Sequence, residues 1–320
     1  MKLSILDQAP ISAGKAPRDA LVASLNLAQT AEKLGYERYW IAEHHDFPAL
    51  ACPAPEVMLS YIGAQTSKIR IGSGAVLLPH YKPYKIAETY NLLATLFPDR
   101  IDLGIGRAPG GSAEATMALS DNYLAGVNKM PEATKELLQF LRNDISSDPM
   151  YSKVLASPLP PIAPLPWILG TSEKSAILAA ENGTPYAFGH FMSEKDGVSI
   201  MEKYVEEFKG SDHSQKPQSI LCISVICAET TEKAEELALS NALWKIKLNN
   251  GEGRDGIPSK EEARQYSFIQ DENNKLSRKM IIGNPKEVKE ELLTLQTQYK
   301  ADEMMIVTIT HRYEDRAPMN

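Results

Sequence analysis

Residues 69–107 read IRIGSGAVLLPHYKPYKIAETYNLLATLFPDRIDLGIGR. A β-rich apolar run at 69–76 gives way to a helical pattern at 83–96, and a second β-rich run follows at 101–105. A strand, a helix and a strand in that order make a parallel pair joined by a crossover. The same unit repeats on both sides. Short apolar runs recur at 2–6, 38–42, 166–169, 185–188, 219–227 and 303–309. Helical patterns occupy 19–34, 54–66, 131–143, 173–182, 194–208, 231–248 and 285–299. Gly35 suits a left-handed cap closing the first helix, Thr230 or Thr231 opens the seventh, and Asn284-Pro285 opens the last.

Eight strands alternating with helices over 320 residues, with no separate dinucleotide-sized half, predict an α/β fold. We expect one (β/α)8 TIM barrel covering 1–320 rather than a doubly wound sheet. Two segments break the rhythm. Residues 146–166 carry Pro149, Pro158, Pro160, Pro161, Pro164 and Pro166, too many for a helix or central strand, and form a stiff insertion before strand five. Residues 249–278, after helix seven, are polar, Gly-bearing and long, the composition of a mobile loop or lid.

Composition narrows the function. Hydrophobic residues are 43% and charged residues 23%, ordinary for a globular chain. The net charge of −7 provides no concentrated positive field, so neither nucleic acid nor an anionic membrane is expected as a partner. Cys52, Cys222 and Cys227 form no CxxC and leave an odd thiol, which argues against a disulfide framework or structural zinc. Cys222 and Cys227 lie in an apolar run and are expected to be inert core. The amino-terminal apolar stretch is too short for a signal-peptide core, and no run approaches the roughly 20 residues of a membrane span. A cytoplasmic location is the expectation.

In such a barrel the active site lies at the carboxyl ends of the strands. Strand two ends in Glu43-His44-His45-Asp46, strand three runs through Gly72-Ser73-Gly74-Ala75, and strand four ends in Gly104-Ile105-Gly106-Arg107. Strand five ends in Gly170-Thr171-Ser172 and strand six in Gly189-His190. Glycines at a strand end permit a tight turn or the close approach of a ligand, and Pro109 breaks any GxGxxG fingerprint. Arg107 is either a surface salt-bridge arginine or a phosphate clamp, since guanidinium matches phosphate oxygens. Thr171, Ser172 and Ser175 serve as helix caps, and the same helix start makes an anion site. His44 and His45 point opposite ways along an extended stretch, which disfavours a shared metal; either is a packed histidine or a base near neutral pH. No metal site is expected, and no GxSxG elbow is present.

Several motifs in fixed order carry a resemblance across nearly the whole chain: LDQAPIS, GYERYWIAEHHDFP, IGSGAVLLPHYKPYKIAE, FPDRIDLGIGRAPGG, ILGTSEKSA and PYAFGHF. They resemble the bacterial luciferase-like flavin monooxygenases, which share the barrel fold. The resemblance implies a monooxygenase that takes reduced FMN from a separate flavin reductase, reacts it with dioxygen and oxidises a small organic substrate. It places Glu43 and His44 at the flavin and substrate rim, with His44 managing proton transfer. Gly74 and Ala75 match a non-proline cis peptide beneath the flavin ring. Arg107 matches the phosphate arginine, and Thr171, Ser172 and Ser175 match the phosphate loop. His45 and His190 stay as rim residues without an assigned role. The 249–278 stretch takes the place of the family's mobile loop.

The family commonly forms homodimers through its second and third helices, here 54–66 and 83–96. Val57, Met58, Leu59, Tyr61 and Ile62 suit either that contact or the core. Two departures stand out. Gly106 replaces the luciferase cysteine beside the phosphate arginine, and no second arginine occurs between 108 and 141. A non-catalytic FMN-binding relative and a deazaflavin-dependent hydride-transfer oxidoreductase are therefore the alternatives.

Overall fold

The computed structural model describes residues 1–144, 151–211, 214–266 and 279–316. Its first helix, α1 (Pro17–Lys33), opens on a proline, whose missing N–H is no loss in a first turn. It buries Ala20, Leu25, Ala28 and Ala31 along one stripe and ends before Gly35, whose φ of +77° is easy for glycine. The same pattern of apolar stripes lays α2 (Pro55–Gly63), α3 (Pro83–Leu96), α6 (Met130–Arg142), α7 (Glu173–Glu181), α8 (Gly197–Glu206), α9 (Thr231–Asn249) and α11 (Pro285–Tyr299) against a sheet. Thr230 caps α9 by accepting from the Lys233 N–H, and Asn284 caps α11.

The sheet is a closed barrel of parallel strands. Pairing runs from β1 (Lys2–Asp7) through β2 (Arg38–Ile41), β3 (Arg70–Ser73), β5 (Ile101–Gly106), β6 (Leu165–Gly170), β7 (Tyr186–Gly189) and β8 (Ser219–Cys227). β10 (Glu303–Val307) pairs with both β8 and β1 and closes the ring. The expected third strand is two pieces. It breaks at the cis Gly74–Ala75 peptide and resumes as β4 (Val76–Leu77), which pairs with the end of β5. Strand β9 (Met280–Gly283), unforeseen in the sequence, pairs with the outer half of β8 beyond the ring.

Alternation along each strand sends residues to two cores. Tyr39, Ile41, Ile71, Leu103 and Ile105 face the helices, while Leu6, Trp40, Trp167, Ala187, Cys222 and Met305 fill the barrel. Met58, Leu59 and Ile62 are core residues of α2, whereas Val57 and Tyr61 are exposed. Cys222 is buried as expected; Cys227 is exposed, because β8 runs past the ring.

The two irregular segments are partly built in. Ala156, in the proline-rich connector, is buried and accepts from Asn91 Nδ2 at 2.7 Å, which ties the connector to α3; residues 145–150 lie outside the described residues. Of the expected mobile loop, the part up to Tyr266 packs on the barrel. Ile257 is fully buried and exchanges backbone hydrogen bonds with Ile11 and Ala13, and Ala263 of α10 (Lys260–Ala263) packs on Ala242 and Leu243. Residues 267–278 lie outside the described residues.

A buried charge cluster plugs the barrel at the amino ends of the strands. Arg38 donates to Asp102 at 2.7 Å and to both oxygens of Glu303 at 2.8 and 3.0 Å. Arg70 and the Trp40 indole also donate to Asp102, Ser4 donates to Glu303, and the Arg38 guanidinium lies 4.9 Å from the Trp167 ring centre. Burial works against the Arg38 charge, yet the two carboxylates raise its pKa above the ordinary arginine value. Asp102→Ala leaves Arg38 and Arg70 under-compensated, so urea denaturation should show a loss of about 3–5 kcal/mol; a loss below about 1 kcal/mol would contradict this.

Candidate active site

The carboxyl ends of the strands surround a cavity of about 320 Å³. Strand β2 brings Ala42, Glu43 and His44 to its wall, the β3–β4 break brings Gly74 and Ala75, and β5 brings Gly106 and Arg107. Thr171 and Ser172 come from the turn between β6 and α7, and Ser175 from the first turn of α7. Every residue expected to bind cofactor therefore lines one space. Leu6, Ala187, Phe191, Met192 and Cys222 complete an apolar wall.

One end of the cavity suits an anion. Arg107 Nη2 donates to Ser172 Oγ at 3.3 Å. Ser172 and Ser175 form the capping box of α7, with Ser175 Oγ donating to the Ser172 carbonyl at 2.6 Å. The hydroxyls therefore cap the helix as expected, and the positive end of its dipole lies at this wall of the cavity. Gly170 leaves the room, since a Cβ there would stand 2.2 Å from Ser175 Oγ. The rest of the wall is largely apolar, with Gly106 so close to Ala75 that a Cβ would meet the Ala75 Cβ at 3.0 Å.

His44 also lines the cavity, its ring tilted against Phe47 with ring centres 5.9 Å apart and planes 54° apart. Its Nδ1 is buried and has no partner. Burial, reinforced by neighbouring His45, pushes its pKa down to about 4, so the ring is neutral at pH 7. A buried polar atom left open is rare and marks a place where a ligand or water completes the set.

Glu43 lines the cavity, but both its oxygens are occupied. Oε1 accepts from the Tyr81 hydroxyl at 2.6 Å and pairs with His45 Nε2 at 2.8 Å; Oε2 accepts from the Leu77 N–H at 3.1 Å. Burial and Glu43 both raise the Tyr81 pKa, keeping the phenol a donor. His45 thus packs behind Glu43 and is not among the residues lining the cavity. His190 also stands apart from the cavity wall, with its ring set edge-on to Tyr299 at 5.6 Å. Burial and then Lys279 lower its pKa. Among the described residues no three His, Cys, Asp or Glu side chains group closely enough for a metal, and no helix is long and apolar enough to cross a membrane.

Sequence reasoning overlooked Tyr81, His80 and Tyr123. His80 and Tyr81 directly follow β4 in the stretch that decides the fold, and a position just past a strand end was the available signal.

The depressed pKa of His44 has a thermodynamic consequence. The unfolded ring takes up a proton near pH 6.5 and the folded one only near pH 4, so stability is full above 6.5 and falls as pH drops between these values. That shift is worth on the order of 3 kcal/mol. Urea midpoints measured from pH 7 to pH 4 should fall more steeply for the wild type than for His44→Phe. Parallel curves would show that His44 is not the group.

Comparison with known proteins agrees with this fold. The family model described as luciferase-like monooxygenase matches residues 1–299. The N-acetyl-S-alkylcysteine monooxygenase of Bacillus subtilis is 37% identical, the match covering 96% of this chain and 92% of that protein. The crystal structure of apo-MsnO8 superimposes with a TM-score of 0.87 at 34% identity, covering 98% and 94% of the two chains. The FMN complex of the oxygenating constituent of 3,6-diketocamphane monooxygenase from Pseudomonas putida shares the fold, with a TM-score of 0.73 at 20% identity over 99% and 94% of the chains. With its barrel, its motifs and a match over nearly its full length, this chain belongs to the luciferase-like monooxygenase family.

Proposed function

We propose that this protein is an FMN-dependent monooxygenase that receives reduced FMN from a separate flavin reductase and uses dioxygen to oxidise a small, largely apolar organic substrate in the cytoplasm. The observation that carries the proposal is the two-ended cavity. Arg107 and the α7 amino terminus suit a dianionic phosphate, the Gly74–Ala75 and Gly106 wall suits a planar ring, and His44 lines the same cavity. No fingerprint for a second nucleotide is present in the sequence.

Bound reduced flavin would supply the reaction with oxygen. The chain's own residues do the rest. Arg107, Thr171 and Ser172 hold the phosphate and set the ring's position, while Ser175 keeps the turn in shape. Leu6, Phe191, Met192 and Cys222 exclude water from the apolar end. His44, neutral at pH 7, would take up or return a proton on its imidazole, with its low pKa favouring prompt release. An S-alkyl thioether is the first substrate class to try, because the 37% identical relative is named for one.

Wild-type protein should retain reduced FMN in equilibrium dialysis, and Arg107→Ala should weaken retention about tenfold to a hundredfold, the worth of a charged hydrogen bond. The loaded enzyme should consume oxygen in step with substrate, and His44→Phe should slow this consumption about a hundredfold or more while leaving FMN bound. No retention of FMN would sink the assignment. Preference for a deazaflavin would point to hydride transfer, and retention without substrate-dependent oxygen uptake to a non-catalytic binder.

The oligomeric state belongs to the same proposal. Val57 and Tyr61 on α2 and Leu92 and Leu96 on α3 expose between 44% and 65% of their surface, each pair one turn apart. Such a stripe is covered in a homodimer. Light scattering should give a dimer mass for the wild type and a monomer mass for Val57→Asp with Leu96→Asp.

A further inference from the structure

Between β5 and α6 the chain leaves the barrel for two short helices, α4 (Ala113–Leu119) and α5 (Tyr123–Asn128), neither of which contains a buried residue. Met117 and Leu124 on them are exposed. An excursion without its own core has little hydrophobic reason to stay in place. It nevertheless begins at Arg107, whose side chain must be held still if it is to bind a phosphate.

One buried side chain gathers this excursion. His80 ends a short 3₁₀ turn (Leu78–His80) directly after β4. Its Nε2 lies 3.0 Å from the Pro109 carbonyl and its Nδ1 lies 3.3 Å from Ser120 Oγ. A carbonyl only accepts, so Nε2 carries a proton and donates to Pro109, while Nδ1 pairs with the serine hydroxyl. The ring also stacks on Tyr123 with centres 4.9 Å apart and planes 27° apart, and the Tyr123 hydroxyl donates to the Arg107 carbonyl at 2.6 Å. One imidazole therefore touches the start of the excursion, the residue after α4 and the first residue of α5.

The turn that bears His80 is itself fixed. Glu43 accepts from the Leu77 N–H and the Tyr81 hydroxyl on either side of it, and a Cβ on Gly126 would stand 2.5 Å from the Pro79 carbonyl. The chain of contacts runs from the barrel wall through Glu43, the 78–80 turn and His80 to the backbone of Arg107.

We propose that His80, acting through Tyr123 and Pro109, is a positioning residue that holds Arg107 in the orientation needed for the cofactor phosphate. This inference rests on the flavin assignment above and adds that phosphate affinity is set by a side chain that never touches the ligand. A positioning role predicts selectivity. A ligand with the phosphate depends on the pin, and the same ring without it does not.

The test compares FMN with riboflavin, which lacks the phosphate, on wild type, His80→Phe and Tyr123→Phe, alongside hydrogen exchange of the ligand-free proteins. His80→Phe keeps the stacking and removes both hydrogen bonds; Tyr123→Phe is a surface change that removes only the bond to Arg107. His80→Phe should weaken FMN binding about tenfold while changing riboflavin binding less than about twofold, since only the charged contact loses its support. Tyr123→Phe should show the same selectivity at smaller size. Amides at 107–128 should exchange faster in His80→Phe while those of β5 and β6 keep their protection. Equal weakening of both ligands, or unchanged exchange at 107–128, overturns the pin. If wild type retains no FMN at all, the flavin assignment fails instead, and the exchange comparison alone decides whether His80 holds the excursion.

Discussion

The buried guanidinium of Arg38 is the constraint on which the barrel depends. Ion pairs taken out of water recover their desolvation only when every donor and acceptor is matched. Here the matching partners come from different strands: Arg38 and Trp40 from β2, Arg70 from β3, Asp102 from β5, Glu303 from β10 and Ser4 from β1, with Trp167 of β6 beneath the cation. A shift of register by one residue in any of these strands would point a partner to the opposite face and leave a charge unpaired. The cluster therefore specifies register around most of the ring, which an apolar plug would do less strictly.

The two ends of the barrel treat polar atoms in opposite ways. At the floor, the charged groups of Arg38, Asp102 and Glu303 are paired with one another. At the mouth, His44 keeps a buried nitrogen without a partner, and the start of α7 lies in the cavity wall through Ser172 and Ser175. The closed end supplies rigidity and the open end supplies unsatisfied valence, and the separation lets the site stay under-satisfied without loosening the fold.

Much of this was legible in the sequence because it is local. Periodicity located the barrel strands and their main helices to within three residues, and Gly35, Thr230 and Asn284 marked boundaries through their own conformational preferences. Residues at strand ends were correctly brought to one rim. What escaped depends on distant partners. Nothing in the run 280–283 announces that it will pair with the tail of β8, and α4 and α5 lack the apolar stripe by which a helix is recognised. Ile257 was hidden in a polar stretch, yet one isoleucine sufficed to fasten that loop to Ile11 and Ala13. His45 and His190 looked equivalent to His44 by position, but only side-chain direction decides which of them faces the cavity.

Glu43 shows how the surroundings of a residue can change its meaning. A carboxylate at the rim invites a role in contact with the cofactor. Its oxygens instead receive Tyr81, His45 and the Leu77 amide, so its charge is absorbed by protein donors. Among the described residues lining the cavity, Glu43 and Arg107 are the ones that carry a formal charge, since His44 is neutral. With both oxygens of that anion taken by protein donors, an anionic ligand entering the mouth has Arg107 as the one cation in the described cavity wall. The orientation of such a ligand is then set by a single asymmetric charge, and the fidelity of that orientation depends on how firmly the backbone of Arg107 is held.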